Sequence, residues 1–265
     1  MSDRQARTGD GRWRLSRRSV LAGGAATAMA QVAAAAGAPV AGAAPGEAPV
    51  AAAAGETRRV TLYAEALPGG MYGYGLAPGE ATVPGPVLEM WEGDTLEIEL
   101  VNTTDQTLSL HPHGVDYDVH SDGTPLNDSA TAPGQRRTHV WRSHVRHRRA
   151  DGTWAEGTAG YWHYHDHAMG TVHGTEGIRK GLYGALVVRR KGDVLPDRRF
   201  TVVFNEMSIN NRSAPDAPVF EARQGERAEF VVIGHGNTFH TFHLHAHRWA
   251  DNRTGLLDGP QDGTP

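Results

Sequence analysis

Residues 86–100, PVLEMWEGDTLEIEL, and residues 218–232, PVFEARQGERAEFVV, are two versions of one segment set 132 positions apart. At the same offset Gly93 matches Gly225, His111 matches His243 and His113 matches His245, with nothing inserted or removed. A self-match of this kind marks a tandem of one folding unit, of about 130 residues here. Whatever the first copy folds into, the second must begin to fold into as well.

The pattern inside each copy is that of a strand. Leu96, Ile98 and Leu100 alternate with Thr95, Glu97 and Glu99, and Ala228, Phe230 and Val232 occupy the matching places in the second copy. Period two puts one face inward and the other toward water. Glu92-Gly93-Asp94 and Gln224-Gly225-Glu226 read as turns ahead of those strands. Further strands are expected at Arg59 to Ala64, Arg137 to Trp141, Ala185 to Arg189 and Phe200 to Phe204, and no long amphipathic helix is visible. The expected class is therefore all-β, two Greek-key β-sandwich domains. The first domain spans 56–195. The second spans 196–265 and is incomplete, since a full copy would run to about residue 325.

Residues 1–55 read differently. Arg17-Arg18 follows the basic Arg12 and Arg14 and precedes a mild Ala/Gly run from Ala22 to Ala38. This resembles a twin-arginine export signal followed by a flexible lead-in, and it predicts a secreted, extracellular protein. No later run is apolar and long enough to span a membrane. With 26 Lys and Arg against 30 Asp and Glu, the formal charge of −4 gives no reason to expect a nucleic-acid partner. There is no cysteine, so disulfides, zinc–thiolate sites and Fe–S clusters have no ligands within these residues.

The 15 histidines cluster. The groups are His111-Pro-His113, then His163-Tyr-His165-Asp-His167, then His240-Thr-Phe-His243-Leu-His245-Ala-His247. Two histidines separated by one residue on a strand present both rings on one face. Neutral imidazole suits copper, zinc, nickel and iron. A single zinc site needs only about four ligands, whereas six or more closely spaced imidazoles imply several metal ions. A cupin would need a glutamate in its ligand motif, and neither paired segment supplies one. His240 stands where the first copy has Leu108, so a histidine unique to the second copy is available to a separate centre. His163 shares the face of His165 and His167. Asp166 alternates off that face, and reads as an acceptor behind a ligand or as a solvated surface group.

The stretches HPHGVDYDVHSDGT (111–124), GYWHYHDH (160–167) and HTFHLHAHRWADNRTG (240–255) resemble the bacterial two-domain laccases, small multicopper oxidases of the cupredoxin fold. The resemblance covers residues 56–265. It implies cupredoxin-like domains that take single electrons from phenols or aromatic amines and reduce dioxygen to water with copper. By that resemblance His111 and His243 hold a type 2 copper, His113, His165, His167 and His245 contribute to a type 3 pair, and His240 is one type 1 ligand. Asp122 resembles an acid that assists proton delivery, and Tyr117 a tyrosine beside the cluster. The partners implied are dioxygen, small aromatic donors and two further copies in a homotrimer, with the cluster between subunits.

The family's second domain closes with a His-Cys-His segment. His165 and His167 shifted by 132 positions fall at 297 and 299, past Pro265. The type 1 site is thus expected to be incomplete within these residues. Two other readings remain at this point: a non-catalytic secreted copper-binding chain, and a two-domain copper nitrite reductase.

Overall fold

The computed structural model describes residues 12–14, 55–171 and 173–250. In chain order the strands are β1 (Arg12–Arg14), β2 (Thr57–Leu67), β3 (Met71–Gly75), β4 (Leu88–Trp91), β5 (Thr95–Asn102), β6 (His111–Pro112), β7 (Asp116–Tyr117) and β8 (Arg136–Arg142). They continue with β9 (His147–Arg148), β10 (Trp154–Ala155), β11 (Gly160–His165), β12 (Tyr183–Arg189), β13 (Arg198–Asn205), β14 (Ser208–Ile209), β15 (Glu221–Arg223) and β16 (Ala228–His235). One five-residue helix, α1 (Thr175–Arg179), lies between β11 and β12. The fold is all-β, as the repeat and its alternation predict. The expected export signal lies outside the described residues, apart from Arg12–Arg14, which pairs with β15. Residues 251–265 also lie outside them.

A five-stranded sheet, in the order β3-β2-β5-β8-β7, faces a four-stranded one, β4-β12-β11-β6. In β5 the expected alternation holds: Leu96, Ile98 and Leu100 are buried. They pack with Leu62, Trp141 and Leu186 between the sheets, and each such side chain contributes about 1.5–3 kcal/mol through burial. The pairings β2 with β5 and β4 with β12 are parallel. The chain must therefore cross between strands by long connections, as a Greek-key sandwich does and a meander does not.

Strand β12 is buried at all seven positions. Leu186 and Val188 face the sandwich core, while Tyr183, Ala185 and Val187 face the other way, onto Val203, Val231 and Ile233. A strand covered on both sides reads as a continuous apolar run, and β12 is the hinge of the architecture for that reason. A third sheet, β14-β13-β16, docks on it. In that sheet β13 runs parallel to β16 just as β2 runs parallel to β5. The turns ahead of β5 and β16 both place glycine at positive φ, 100° at Gly93 and 93° at Gly225, where other residues are strained. The repeat in sequence is thus a repeat in backbone.

The inward face of β16 was expected to hold Ala228, Phe230 and Val232. The most buried apolar residues are instead Val231 and Ile233, and Val232 is 41% exposed. The docking of β16 on β12 decides this, because it covers the face that alternation assigns to solvent. Phe230 packs with Phe220 and Phe242 on the other side of the sheet.

Candidate metal centre

Strand β6 joins the edge of the four-stranded sheet by pairing with the end of β11, which sets His111 directly opposite His165. The His113 N–H donates to the His163 carbonyl at 2.9 Å and extends the pairing by one residue. Two His-x-His segments on neighbouring strands therefore turn their rings to a common face. The ligand-capable atoms of His111, His113 and His165 all lie within 4.8 Å of one another. His113 Nε2 is 3.0 Å from His165 Nε2, a spacing that suits two nitrogens on one ion with bonds of about 2 Å.

Backbone carbonyls settle which nitrogen is free. His111 Nδ1 lies 2.6 Å from the carbonyl oxygen of Asp122, and His165 Nδ1 lies 2.6 Å from that of Asp166. A carbonyl only accepts, so each Nδ1 carries the hydrogen and each Nε2 is left with a bare lone pair. Burial, with His163 and His113 alongside and the Asp166 carbonyl opposing, holds His165 down to about 2. Burial and the neighbouring rings hold His163 down to about 3, and also keep His113 below its usual value. These imidazoles are neutral at physiological pH, the form that binds a metal.

His167 lies past the end of β11, with its ring centroid 4.7 Å from that of His111. Asp166 makes this possible, and its burial corrects the reading of it as a solvated surface group. It is 0% exposed. Its Oδ1 accepts from the Ser109 N–H at 2.7 Å, and its Oδ2 from the Met169 N–H at 2.7 Å and the Ala168 N–H at 3.2 Å. The Ser109 hydroxyl in turn accepts from the His167 N–H at 2.8 Å. The chain leaves strand geometry after His165, so alternation no longer governs where Asp166 points. Burial lifts its carboxyl to about 6, against the pull of those backbone N–H groups.

Asp122 and Tyr117 stand at the rim. Asp122 Oδ1 is 3.5 Å from His111 Nδ1. Burial raises its carboxyl, but hydrogen bonds from Thr124 and Asn127 and the nearby His111 and His167 outweigh this and leave it below the usual range. The Tyr117 ring meets His111 edge-on at 5.6 Å. Its hydroxyl is raised by partial burial and by Asp122.

The second set of histidines is placed elsewhere. His243 Nε2 and His245 Nε2 are 3.3 Å apart, on irregular backbone and not on the expected strand. Among the described residues they make no ring contact with the His111 group. His247 Nδ1 binds the His245 carbonyl at 2.8 Å. His240 stacks on Phe204 with centroids 4.7 Å apart, and its buried Nε2 has no partner among the described residues.

Two buried histidines escaped the sequence reading. His139 is 0% exposed and reaches the Ser121 carbonyl at 3.3 Å. His235, at the end of β16, lies 2.9 Å through Nε2 from His163 Nδ1. His235 stands at the place of Thr103 in the first copy, so the comparison that singled out His240 carries a signal for it too.

Sequence models of multicopper oxidases match residues 79–193, which carry the first two histidine groups, and residues 187–263, which carry the third. The chain belongs to the multicopper oxidase family. Members of that family are oxidoreductases, and membership implies copper as the metal of this site. The ligand-capable nitrogens gathered by His111, His113 and His165 fit that metal, since imidazole is among its preferred ligands. Among curated relatives, it is 31% identical over 210 residues to a probable nitrite reductase-hydroxylamine oxidoreductase fusion protein of Kuenenia stuttgartiensis, covering 70% of this chain and 23% of that protein. It is 32% identical to the ferroxidase HEPHL1 of Mus musculus, covering 48% of this chain and 12% of that one. With Laccase-25 of Oryza sativa subsp. japonica it shares 32% identity, covering 47% and 20%. The chain thus spans less than a quarter of the length of each of these three relatives. Among solved structures, a multicopper oxidase aligns with a TM-score of 0.47 and 25% identity, covering 67% of this chain and 62% of that one. Lac15 from a marine microbial metagenome aligns at 0.45 and 22%, covering 67% and 47%.

Proposed function

We propose that in the complete protein this multicopper oxidase chain serves a laccase-type reaction, the one-electron oxidation of phenols or aromatic amines coupled to reduction of dioxygen to water. The observation that carries the reading is the convergence of ligand-capable nitrogens from His111, His113 and His165 on one face, with His167 beside them. Copper held there supplies the one-electron chemistry that joins an aromatic donor to dioxygen. In this reading His111 and His243 serve the type 2 position and His113, His165, His167 and His245 the type 3 pair, while His240 serves type 1. His243 and His245 reach the cluster from a second copy in a homotrimer. Their separation from the His111 group within one chain supports that arrangement. Asp122, a carboxylate at the rim beside the His111 Nδ1–H, accepts and passes on protons, since water formation consumes one proton for each electron. Tyr117 sits against the same ring. The twin-arginine-type leader directs the protein out of the cell.

A second reading is favoured by one fact: these residues contain no cysteine, and a type 1 copper needs a thiolate. On that reading the chain binds copper without turning over. The two separate in a single experiment. The complete protein is loaded with copper and oxygen uptake is followed with a phenolic donor, and nitrite consumption with a reduced donor; from residues 1–265 alone, which hold no type 1 thiolate, little or no uptake is expected. Oxygen uptake that depends on the phenol supports the laccase reading. Bound copper without uptake supports the binding reading, and nitrite consumption alone overturns both.

A further inference from the structure

We propose that His235 is a positioning residue for the copper ligands of the first sandwich, acting through His163; this rests on the copper reading above. His163 Nδ1 and His235 Nε2 are 2.9 Å apart, so one ring donates to the other. The rest of the geometry assigns the direction. His235 is 8% exposed, and its Nδ1 is buried without a partner among the described residues. A hydrogen on that nitrogen would be a stranded donor, which costs more than a bare lone pair in apolar surroundings. The hydrogen therefore sits on Nε2 of His235, which donates, and Nδ1 of His163 accepts. His163 is thereby held in one tautomer and one ring orientation, with Nδ1 unavailable to a metal.

The ring fixed in this way is the one that His113 rests on. The centroids of His113 and His163 are 4.1 Å apart, with planes inclined by only 24°. The backbone binds the same two residues, through the His113 N–H and the His163 carbonyl. His113 then presents Nε2 to His165 at 3.0 Å. The order of contact is His235 to His163 to His113 to the site, and the His235 ring also meets that of His165 edge-on at 6.2 Å.

His235 arrives from the other sheet. Val231 and Ile233, two and four residues before it on β16, dock on Tyr183, Ala185 and Val187 of β12. The Tyr183 ring then closes edge-on against His235 at 5.1 Å. Docking of the β14-β13-β16 sheet thus sets an imidazole behind His163, the ring on which the ligand His113 rests, and copper affinity is coupled to that docking.

The test compares His235→Gln, which keeps an amide donor near the Nε2 position, with His235→Phe, which keeps the ring volume and loses the donor. Copper(II) affinity is measured by titration of the whole chain, together with the spectrum of the bound ion and the thermal midpoint of the metal-free protein. Removing a hydrogen bond behind a metal ligand lowers affinity by roughly tenfold to a hundredfold. That loss is expected for His235→Phe, with an altered copper spectrum, and His235→Gln is expected to restore both. Wild-type affinity in His235→Phe, or an equal loss in both variants, overturns the proposal. Should His235→Phe fail to fold, His163→Asn against His163→Leu runs the same comparison from the other partner. A wild-type chain that takes up no copper overturns the copper reading and this proposal with it, whereas unaffected variants of a copper-binding chain overturn this proposal alone.

Discussion

The carboxylate of Asp166 lies so close to the Cα of Gly177 that a β-carbon on Gly177 would overlap it. Helix α1 can pack over the carboxylate only because residue 177 has no side chain. Gly177→Ala is expected to push Asp166 off its three backbone donors and to destabilise the protein by about 1–3 kcal/mol. Gly234, on β16, is the comparison, because a β-carbon there meets nothing within 4 Å. Gly234→Ala is expected to change stability by less than about 0.5 kcal/mol. Urea unfolding of the two variants checks this, and equal midpoints would remove the packing argument.

Asp166→Asn probes the same point from the other side. Both carboxylate oxygens face N–H donors from Ser109, Ala168 and Met169. An asparagine has only one acceptor oxygen, so its NH2 group would confront a backbone donor. The cost of the stranded groups is about 1–3 kcal/mol. Because Ser109 also holds the His167 N–H, bound copper per chain should fall as well. A variant with wild-type stability and copper content would show that Asp166 is not the anchor described.

Acid should unfold the metal-free protein early. His165, His163, His235 and His139 are held down to about 2, 3, 4 and 4, each chiefly by burial. In the unfolded chain each titrates near the ordinary value of about 6.5. Below that pH the unfolded state binds more protons than the folded one. The contribution of each histidine is therefore complete above about pH 6.5 and is lost as pH falls toward the folded value, at up to about 1.4 kcal/mol per unit. Asp166, raised to about 6 by burial, acts with the opposite sign between its unfolded value of about 4 and 6. One carboxyl does not offset four imidazoles. Thermal midpoints between pH 8 and 4 should drop steeply below 6.5, with more than one proton taken up on unfolding, and a flat profile would contradict the burial of these rings.

Arg189 is 1% exposed and donates to both oxygens of Glu229, at 2.7 and 2.8 Å, and to Glu89 at 3.3 Å. Glu89 is on β4 and Glu229 on β16, so the guanidinium joins the first sandwich to the β14-β13-β16 sheet. Arg189→Met would leave the two carboxylates with Arg199 and, at Glu229, the Tyr161 hydroxyl, at a cost of about 3–5 kcal/mol. The double variant Arg189→Met with Glu229→Leu should recover part of that loss, because no unpaired charge stays buried. Denaturant unfolding of the set checks the order, and a harmless single variant would contradict it.

What the sequence made legible was periodic or repeated. Leu96, Ile98 and Leu100 declare their face by alternation, and His111, His113 and His165 declare a metal surface by spacing. What it hid depends on a second body. Val231 and Ile233 are buried because β12 covers them, and a pattern within β16 cannot report on β12. His235 is a lone histidine whose meaning comes from His163, distant in the chain. Alternation could not choose between the two readings of Asp166, because it holds only as far as the strand does and β11 ends one residue before it.

The pairing of β6 with β11 has a consequence for the order of events in the cell. His113 and His165 are 52 positions apart in the chain, and Ser109 and Asp166, which brace them, are 57 apart. An unfolded chain offers copper isolated His-x-His pairs but never the three-nitrogen group, which exists only after these distant segments have met. Loading must follow folding, and the compartment in which the chain folds decides which metal reaches the finished site first.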